Sequence, residues 1–156
     1  MKRPGNAQPV SPVSAGSVGA GGKVIHVVAI LVQDFRDNIL LVRKRNTDMF
    51  IQPGGKPEKG EDMFATGAGE LAEETSLRLA PEQFEFIGEF TAPAANEPGY
   101  SIVAQCLRVR LERGVELQVR EANEIAQAEF FSPGSAQHIT GAPLFKEIIL
   151  PMVLAE

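Results

Sequence analysis

The chain has 156 residues, of which 44% are hydrophobic and 22% charged, and its formal net charge is −5. This is enough apolar material for one globular domain with a single core. The mild acidity argues against duplex nucleic acid as the main partner, and no apolar run approaches the roughly 18 residues that would indicate a membrane-spanning helix. With one cysteine, Cys106, the chain cannot form an internal disulfide, which favours a reduced, cytoplasmic protein.

Residues 1–22 are rich in Pro, Gly, Ser and Ala and are predicted to form a flexible tail, which leaves residues 23–156 as the domain. Long β-branched and apolar runs between Pro, Gly, Asn and Asp turns predict several strands. These runs are KVIHVVAILVQD (23–34), ILLVRKR (39–45), FEFIGEF (84–90), YSIVAQCLRVRL (100–111) and IAQAEFF (125–131). Helices are predicted after Asp62 and over residues 142–156, the second one broken at Pro151. Several strands around two helices predict an α/β layered sandwich rather than alternating βαβ units.

Most of the negative charge lies in one short segment. Residues 54–77, GGKPEKGEDMFATGAGELAEETSL, contain six carboxylates and only two lysines. Glu70, Glu73 and Glu74 are spaced as i, i+3 and i+4, so a helix would place them on one face, where their charges repel. Gly67 and Gly69 each cost such a helix up to about 1 kcal/mol relative to Ala. A helix so poorly optimised for its own stability suggests another constraint.

A divalent cation would relieve this repulsion. Carboxylates clustered without Cys or His suit Mg²⁺ or Mn²⁺, and Mg²⁺ commonly leaves part of its coordination to water and substrate phosphates. The Asp-x-Asp-x-Asp spacing of a calcium EF-hand is absent. Taken alone, an acidic trio of this kind is more often a solvated helix face. The glycine pair Gly54-Gly55 upstream favours a site, because glycine lets the backbone approach an ion closely.

At this point the sequence resembles the Nudix family. The family motif is Gly, five residues, Glu, seven residues, Arg-Glu, an apolar residue, any residue, Glu-Glu, any residue, Gly and an apolar residue. Here Gly55, Glu61, Glu70, Glu73 and Glu74 occupy its glycine and glutamate positions without a gap. Two positions depart from the motif: Gly69 replaces its arginine and Ser76 its last glycine. The resemblance extends over roughly residues 23–150, with specific matches mainly in the motif.

The resemblance implies a Nudix-type α/β/α sandwich with a mixed β-sheet between helices. It also implies metal-dependent hydrolysis of the pyrophosphate linkage in a nucleoside diphosphate joined to another group, with Mg²⁺ or Mn²⁺ as cofactor. The expected metal ligands are Gly55, through its carbonyl, and Glu70, Glu73 and Glu74. Glu70 is alternatively the residue that orients the attacking water, and Glu61 is either a ligand or a support for the loop.

The resemblance does not fix the general base, for which Glu124 is the leading candidate and Glu97 and Glu121 are weaker ones. Lys56, Arg43 and Arg45 are candidates for binding substrate phosphates, with Lys44 expected on the opposite face of its strand. The expected partner is a nucleotide-type small molecule, and a homodimer is compatible with the sequence.

Because the motif arginine orders the glutamates, its replacement by Gly69 leaves open an alternative reading. In that reading the domain binds a nucleotide or a protein without turnover. A third reading, an isomerase of the same family, needs a catalytic cysteine, and Cys106 stands outside any comparable motif.

Overall fold

The structure, a computed structural model, describes residues 22–156, so the predicted tail lies outside the described residues except for Gly22. Six strands form one mixed sheet: β1 (Lys23–Gln33), β2 (Ile39–Lys44), β3 (Gly54–Gly55), β4 (Glu85–Pro93), β5 (Tyr100–Arg110) and β6 (Ile125–Phe131). The helices are α1 (Met63–Thr75), the short α2 (Pro133–Ala136) and a C-terminal helical segment comprising a π-helix (Leu144–Ile149) and α3 (Leu150–Leu154). Single 3₁₀ turns lie at Pro81–Gln83 and Val115–Gln118.

The sheet order is β4-β5-β1-β2-β6, and β3 pairs separately with β1. Strands β1 and β5 run parallel in unbroken register from Lys23 opposite Tyr100 to Gln33 opposite Arg110. The other pairings between the named strands are antiparallel. Strand β1 is therefore shared: it holds β5 along one edge, while β2 and the two-residue β3 pair with different parts of it.

The sheet divides the core into two apolar clusters, as the side-chain alternation along β1 requires. Ala29 and Leu31 pack into the cluster covered by α2 and the C-terminal helical segment. Val28, Ile30 and Val32 pack into the cluster beneath α1. This arrangement confirms the predicted α/β/α sandwich.

Helix α1 begins where the sequence predicts, because the Asp62 side chain accepts a hydrogen bond of 2.8 Å from the backbone N–H of Ala65. Gly67 faces the sheet, where a Cβ atom would lie 2.8 Å from Leu107 Cδ1. This glycine therefore lets the helix pack closely against β5. Ser76 ends the helix in the left-handed conformation, with φ of 70°, which explains why the motif has glycine there.

The prediction of a helix broken at Pro151 is wrong. Helical backbone continues through this residue, which lies in the first turn of α3, immediately after the π-helix. Proline lacks the N–H for an i→i−4 bond, and the helix changes from π to α geometry at Leu150, the residue before it. In addition, no helix among residues 22–156 is long and apolar enough to cross a membrane.

Candidate active site

A cavity of about 1140 Å³ opens beside the glycine pair and the acidic face of α1. Its wall combines two kinds of surface. Glu70, Glu73 and Glu74 contribute carboxylates. Apolar side chains come from the two central strands and from the C-terminal helical segment: Val27, Ala29, Ile102, Leu144 and Phe145. A cavity of this composition accommodates a ligand that is charged at one part and apolar at another.

Glu74 is the most buried of the three α1 glutamates in the cavity wall, with only 8% of its surface exposed. Its Oε1 atom accepts a hydrogen bond of 3.3 Å from the backbone N–H of Gly54. Burial raises the pKa of Glu74 to about 8; the hydrogen bond from Gly54 opposes this rise and the neighbouring charge of Glu70 adds to it. Without a cation, this carboxyl group is therefore largely protonated near neutral pH.

Glu70 lies directly against Gly55. A Cβ atom on Gly55 would lie 2.5 Å from the carboxyl carbon of Glu70, so only glycine permits this approach. Burial raises the pKa of Glu70 above its ordinary value, and the negative charge of Glu73 raises it further. The charge of Lys44 and a hydrogen bond with Glu74 oppose the shift. Glu70 and Glu74 therefore form a pair of carboxyl groups in which ionisation of one disfavours that of the other.

These residues fit a hard divalent cation of the kind predicted. Among residues 22–156, no three acidic, His or Cys side chains form a ready-made metal-binding group. Mg²⁺ does not need one, since it commonly binds through one or two carboxylates together with water and phosphate oxygens. Glu70 and Glu74 supply two adjacent carboxylates beside the backbone of Gly55. Glu73 is exposed, and its carbonyl accepts a hydrogen bond of 2.8 Å from the Asn123 side chain.

Three basic residues line the cavity: Lys44, Arg45 and Lys56. Arg43 differs from the prediction, because it lies outside the cavity wall. Its guanidinium donates hydrogen bonds to Gln127 Oε1, at 3.1 Å, and to the carbonyl of Thr47, at 2.8 Å. The pairing of β2 with β6 shifts register between Arg43 and Lys44, and β2 ends at Lys44. Simple alternation therefore does not extend to Arg45.

The remaining glutamates separate into two groups. Glu124 and Glu97 both line the cavity, whereas Glu121 does not. Glu61 also lies outside the wall, and its Oε1 accepts hydrogen bonds from the Glu58 backbone, at 2.9 Å, and from the Thr66 hydroxyl, at 2.8 Å. This geometry favours the predicted loop-supporting role of Glu61 over direct ligation.

Gly69, which replaces the motif arginine, borders a smaller cleft of about 440 Å³. A Cβ atom at Gly69 would meet no atom within 4 Å, so this position has room for a side chain. The arginine that shares this cleft with Gly69 and Glu73 is Arg78. Arg108 instead pairs with Glu156, and Arg110 with Asp37.

Charge patterning does not identify Gln52 as a residue of the site. Only 6% of its surface is exposed, it belongs to the cavity wall, and neither atom of its amide group has a hydrogen-bond partner within residues 22–156. Leaving a buried polar group unpaired costs about 1–3 kcal/mol. A neutral side chain beside Pro-Gly-Gly gives no signal in the sequence, and only its burial identifies it.

Solved structures with this fold include MutT and Nudix proteins. The MutT protein from Methanosarcina mazei superposes with a TM-score of 0.67 at 17% identity, and the match covers 88% of this chain and 97% of that one. A bifunctional NMN adenylyltransferase/ADP-ribose pyrophosphatase from Francisella tularensis gives a TM-score of 0.68 at 21% identity, covering 88% of this chain and 42% of that one. At these identities the likeness establishes the fold class.

The sequence comparison establishes the family. The model of the Nudix domain matches residues 23–151. The chain therefore belongs to the Nudix family, which confirms the resemblance carried by its motif. It is 30% identical to a Xenopus laevis protein named m7GpppN-mRNA hydrolase NUDT17, over 74% of this chain and 44% of that protein. The human protein of that name is 28% identical, over 74% of this chain and 40% of that protein. The chain thus spans less than half the length of these curated relatives.

Proposed function

We propose that this protein hydrolyses the pyrophosphate linkage of a nucleoside diphosphate joined to another group, with Mg²⁺ or Mn²⁺ as cofactor. The observation that carries this proposal is the juxtaposition of Glu70, Glu74 and the glycine pair within a cavity that also contains three basic side chains. A pyrophosphate is negatively charged, and both a cation held by carboxylates and positively charged side chains neutralise that charge.

Each residue has a role in this proposal. Glu70 and Glu74 bind the metal with the carbonyl of Gly55, and Glu73 contributes from the exposed side of the same helix face. A bound divalent cation supplies charge neutralisation at the phosphates and a lower pKa for the attacking water. Lys44, Arg45 and Lys56 bind phosphate oxygens. Glu124, in the cavity wall, accepts the proton of the water.

The size of the cavity bears on the substrate. Pockets for small ligands commonly have volumes of about 300–1,000 Å³, and this cavity, at about 1140 Å³, has room for a ligand larger than one nucleotide. The curated relatives are named for the hydrolysis of capped mRNA. The substrate panel for this protein therefore includes cap analogues besides ADP-ribose, nucleotide sugars, dinucleoside polyphosphates and nucleoside triphosphates.

The test is cleavage of that panel with Mg²⁺, with Mn²⁺ and with EDTA, the products being identified by mass. We expect metal-dependent cleavage, and a fall in kcat/KM of at least about 100-fold in Glu74→Gln. Glu112→Gln is the matched control, because it removes the same charge at an exposed residue outside the cavity wall. Cleavage that persists in EDTA, or equal losses in both variants, would contradict the proposal.

Gly69 favours a second candidate function, nucleotide binding without turnover. In this case the folded wild-type protein binds nucleoside diphosphates and cleaves nothing in the panel. Gly69→Arg tests whether the natural chain lacks only the arginine that positions the glutamates or lacks a working active site altogether. The added side chain has room, and it lies one helical turn from Glu73. Cleavage that appears only in this variant would establish the second function for the natural chain.

A further inference from the structure

The residues on either side of Gln52 have fixed backbone positions, whereas the Gln52 side chain has no hydrogen-bond partner in the described part of the chain. The N–H and the carbonyl of the preceding Ile51 both pair with Val42, at 2.8 Å, and the carbonyl of the following Pro53 accepts a 2.9 Å hydrogen bond from Ile30. The chain on both sides of Gln52 is therefore fixed to β2 and β1. The amide of Gln52 is buried there, and neither of its polar atoms has a partner within residues 22–156.

Two other buried polar side chains in the described part of the chain, Gln33 and Asp34, do have partners. Gln33, which is 1% exposed, accepts a 2.8 Å hydrogen bond from Arg108 Nε. The carboxylate of Asp34 accepts hydrogen bonds from the backbone of Arg36 and Asn38. Among residues 22–156, the atoms of Gln52 are the buried side-chain N and O atoms that lack a partner. Because buried polar groups are normally satisfied, each such exception calls for an explanation.

The position of Gln52 suggests its partner. It lies in the wall of the cavity, two residues before Gly54, whose N–H donates to Glu74. The same wall contains apolar side chains of Ile102, Leu144 and Phe145, against which a flat ring can pack. Gln52 therefore belongs to a wall that offers both the carboxylates of the proposed phosphate site and an apolar surface.

The hydrogen-bonding groups of an amide indicate which part of a nucleotide Gln52 would bind. A glutamine amide presents one acceptor and one donor group side by side. Ionised phosphate oxygens only accept hydrogen bonds, so a phosphate would leave the oxygen of Gln52 unpaired. The edge of a nucleobase offers a donor next to an acceptor, and glutamine forms two hydrogen bonds with such an edge.

We infer that Gln52 is a specificity-determining residue that recognises the nucleobase of the substrate through paired hydrogen bonds from its amide. The inference deepens the proposed function, and it rests on that function for the nucleotide nature of the ligand. Both amide atoms are covered by protein in the ligand-free molecule. Rotation about the three side-chain bonds of glutamine turns them towards the cavity when the base enters.

The experiment measures equilibrium binding, so that it can be interpreted whether or not the protein hydrolyses a substrate. Dissociation constants of ADP, GDP, CDP and UDP are measured with Mg²⁺ for the full-length wild type and for Gln52→Met, which keeps the length of the side chain. Inorganic pyrophosphate with Mg²⁺ is the base-free control. We expect the wild type to prefer one base over the weakest by about tenfold or more. Gln52→Met should reduce this preference to less than about threefold and leave pyrophosphate binding unchanged.

Several outcomes would overturn the inference. One is a wild type that binds all four nucleotides alike, and another is a variant that keeps the wild-type preference. A lower melting temperature with equal weakening of all five ligands would assign the amide a structural role, such as holding a buried water. Comparison of ADP with 2′-deoxy-ADP identifies a contact to the ribose instead, if the variant loses only that discrimination.

A substitute variant and the combined results of binding and hydrolysis separate the failure of this inference from the failure of the proposed function. If Gln52→Met does not fold, Gln52→Leu replaces it, because this variant also removes both amide atoms and leaves free volume instead of crowding. If the wild type discriminates among bases in binding, the Gln52 variant loses this discrimination and nothing is hydrolysed, the proposed hydrolysis fails and the assignment of Gln52 stands. If hydrolysis proceeds with no base preference, the assignment of Gln52 fails alone.

Discussion

At the scale of single residues, Gly55 is the position where the structure explains the sequence most directly. Gly55 has no side chain, so the carboxyl group of Glu70 can lie close to its backbone. A Cβ atom at this position would be 2.5 Å from the carboxyl carbon of Glu70. The glycine pair had suggested a close approach of backbone to an ion. The structure adds that the acidic side chain itself needs this space.

Gly55→Ala should therefore reduce activity. The added methyl group must displace the Glu70 carboxylate, and a misplacement of about 1 Å at a catalytic group costs about 100-fold in rate. The measurement is kcat/KM on the best substrate of the panel as a function of Mg²⁺ concentration, with a higher Mg²⁺ requirement expected. Gly69→Ala is the matched control, since its methyl group enters open space in the same helix as Glu70. Equal effects of the two substitutions would contradict this explanation.

The buried carboxyl group of Glu74 makes the stability of the metal-free protein depend on pH. Its pKa is about 8 in the folded chain, against an ordinary value of 4.5, so between these values the folded state binds more protons than the unfolded state. The free energy of unfolding therefore falls as pH rises through this window. A melting temperature measured in EDTA should fall between pH 6 and pH 8.

Glu74→Gln should flatten this pH dependence, because glutamine carries no titrating proton at the same site. Mg²⁺ should stabilise the wild type more at pH 8 than at pH 6, since the cation binds the ionised carboxylate and competes with its proton. A wild-type profile in EDTA that matches the profile of Glu74→Gln would show that this group does not titrate as described.

At the scale of elements, local sequence signals were enough to place helix α1 but not the contacts of its faces. The Asp62 cap and the apolar stripe are local, and the helix occupies Met63–Thr75 as they predict. The reason for Gly67 is not local, because the side chain that it accommodates, Leu107, belongs to a strand much later in the chain. The irregular pairing that separates Arg43 from Lys44 likewise depends on β6.

The end of α1 offers a test of the departure at Ser76. This residue is held at φ of 70°, a conformation that costs a residue with a side chain about 1 kcal/mol and glycine much less. Ser76→Gly should raise the free energy of unfolding by about 0.5–1 kcal/mol in urea denaturation. Both Ser76→Gly and the control Ser76→Ala lose the 3.2 Å hydrogen bond from the hydroxyl to the carbonyl of Arg120. A gain seen also in Ser76→Ala would exclude the backbone conformation as its cause.

At the scale of the whole molecule, the layered class was predictable but the order of the strands was not. Periodicity shows which residues face a core, and both faces of β1 are apolar, which indicates a strand covered on two sides. Nothing local indicates that β1 pairs in parallel with β5 and that β3 pairs beside β2. These long-range pairings bring the glycine pair to α1, so neither the cavity nor the burial of Gln52 in its wall could be inferred from sequence.

The predicted boundary of the domain is tested by truncation. Strand β1 is paired with β5 from its first residue, Lys23, so a protein that starts at residue 22 keeps every described pairing. We expect its melting temperature to stay within about 2 °C of the full-length value, because a shift of this size corresponds to well under 1 kcal/mol. A truncated protein that fails to fold would show that residues 1–21 belong to the domain.

The parallel pairing of β1 with β5 also has a consequence for folding during synthesis on the ribosome. The most apolar strand is synthesised early, and the neighbour that covers its whole length is synthesised only after β2, α1 and β4. Until then one edge of β1 has no partner strand, and unpaired strand edges promote wrong association between chains. Closing so long a loop also slows folding. Nascent chains of this protein should therefore depend on chaperones until residue 110 has left the exit tunnel.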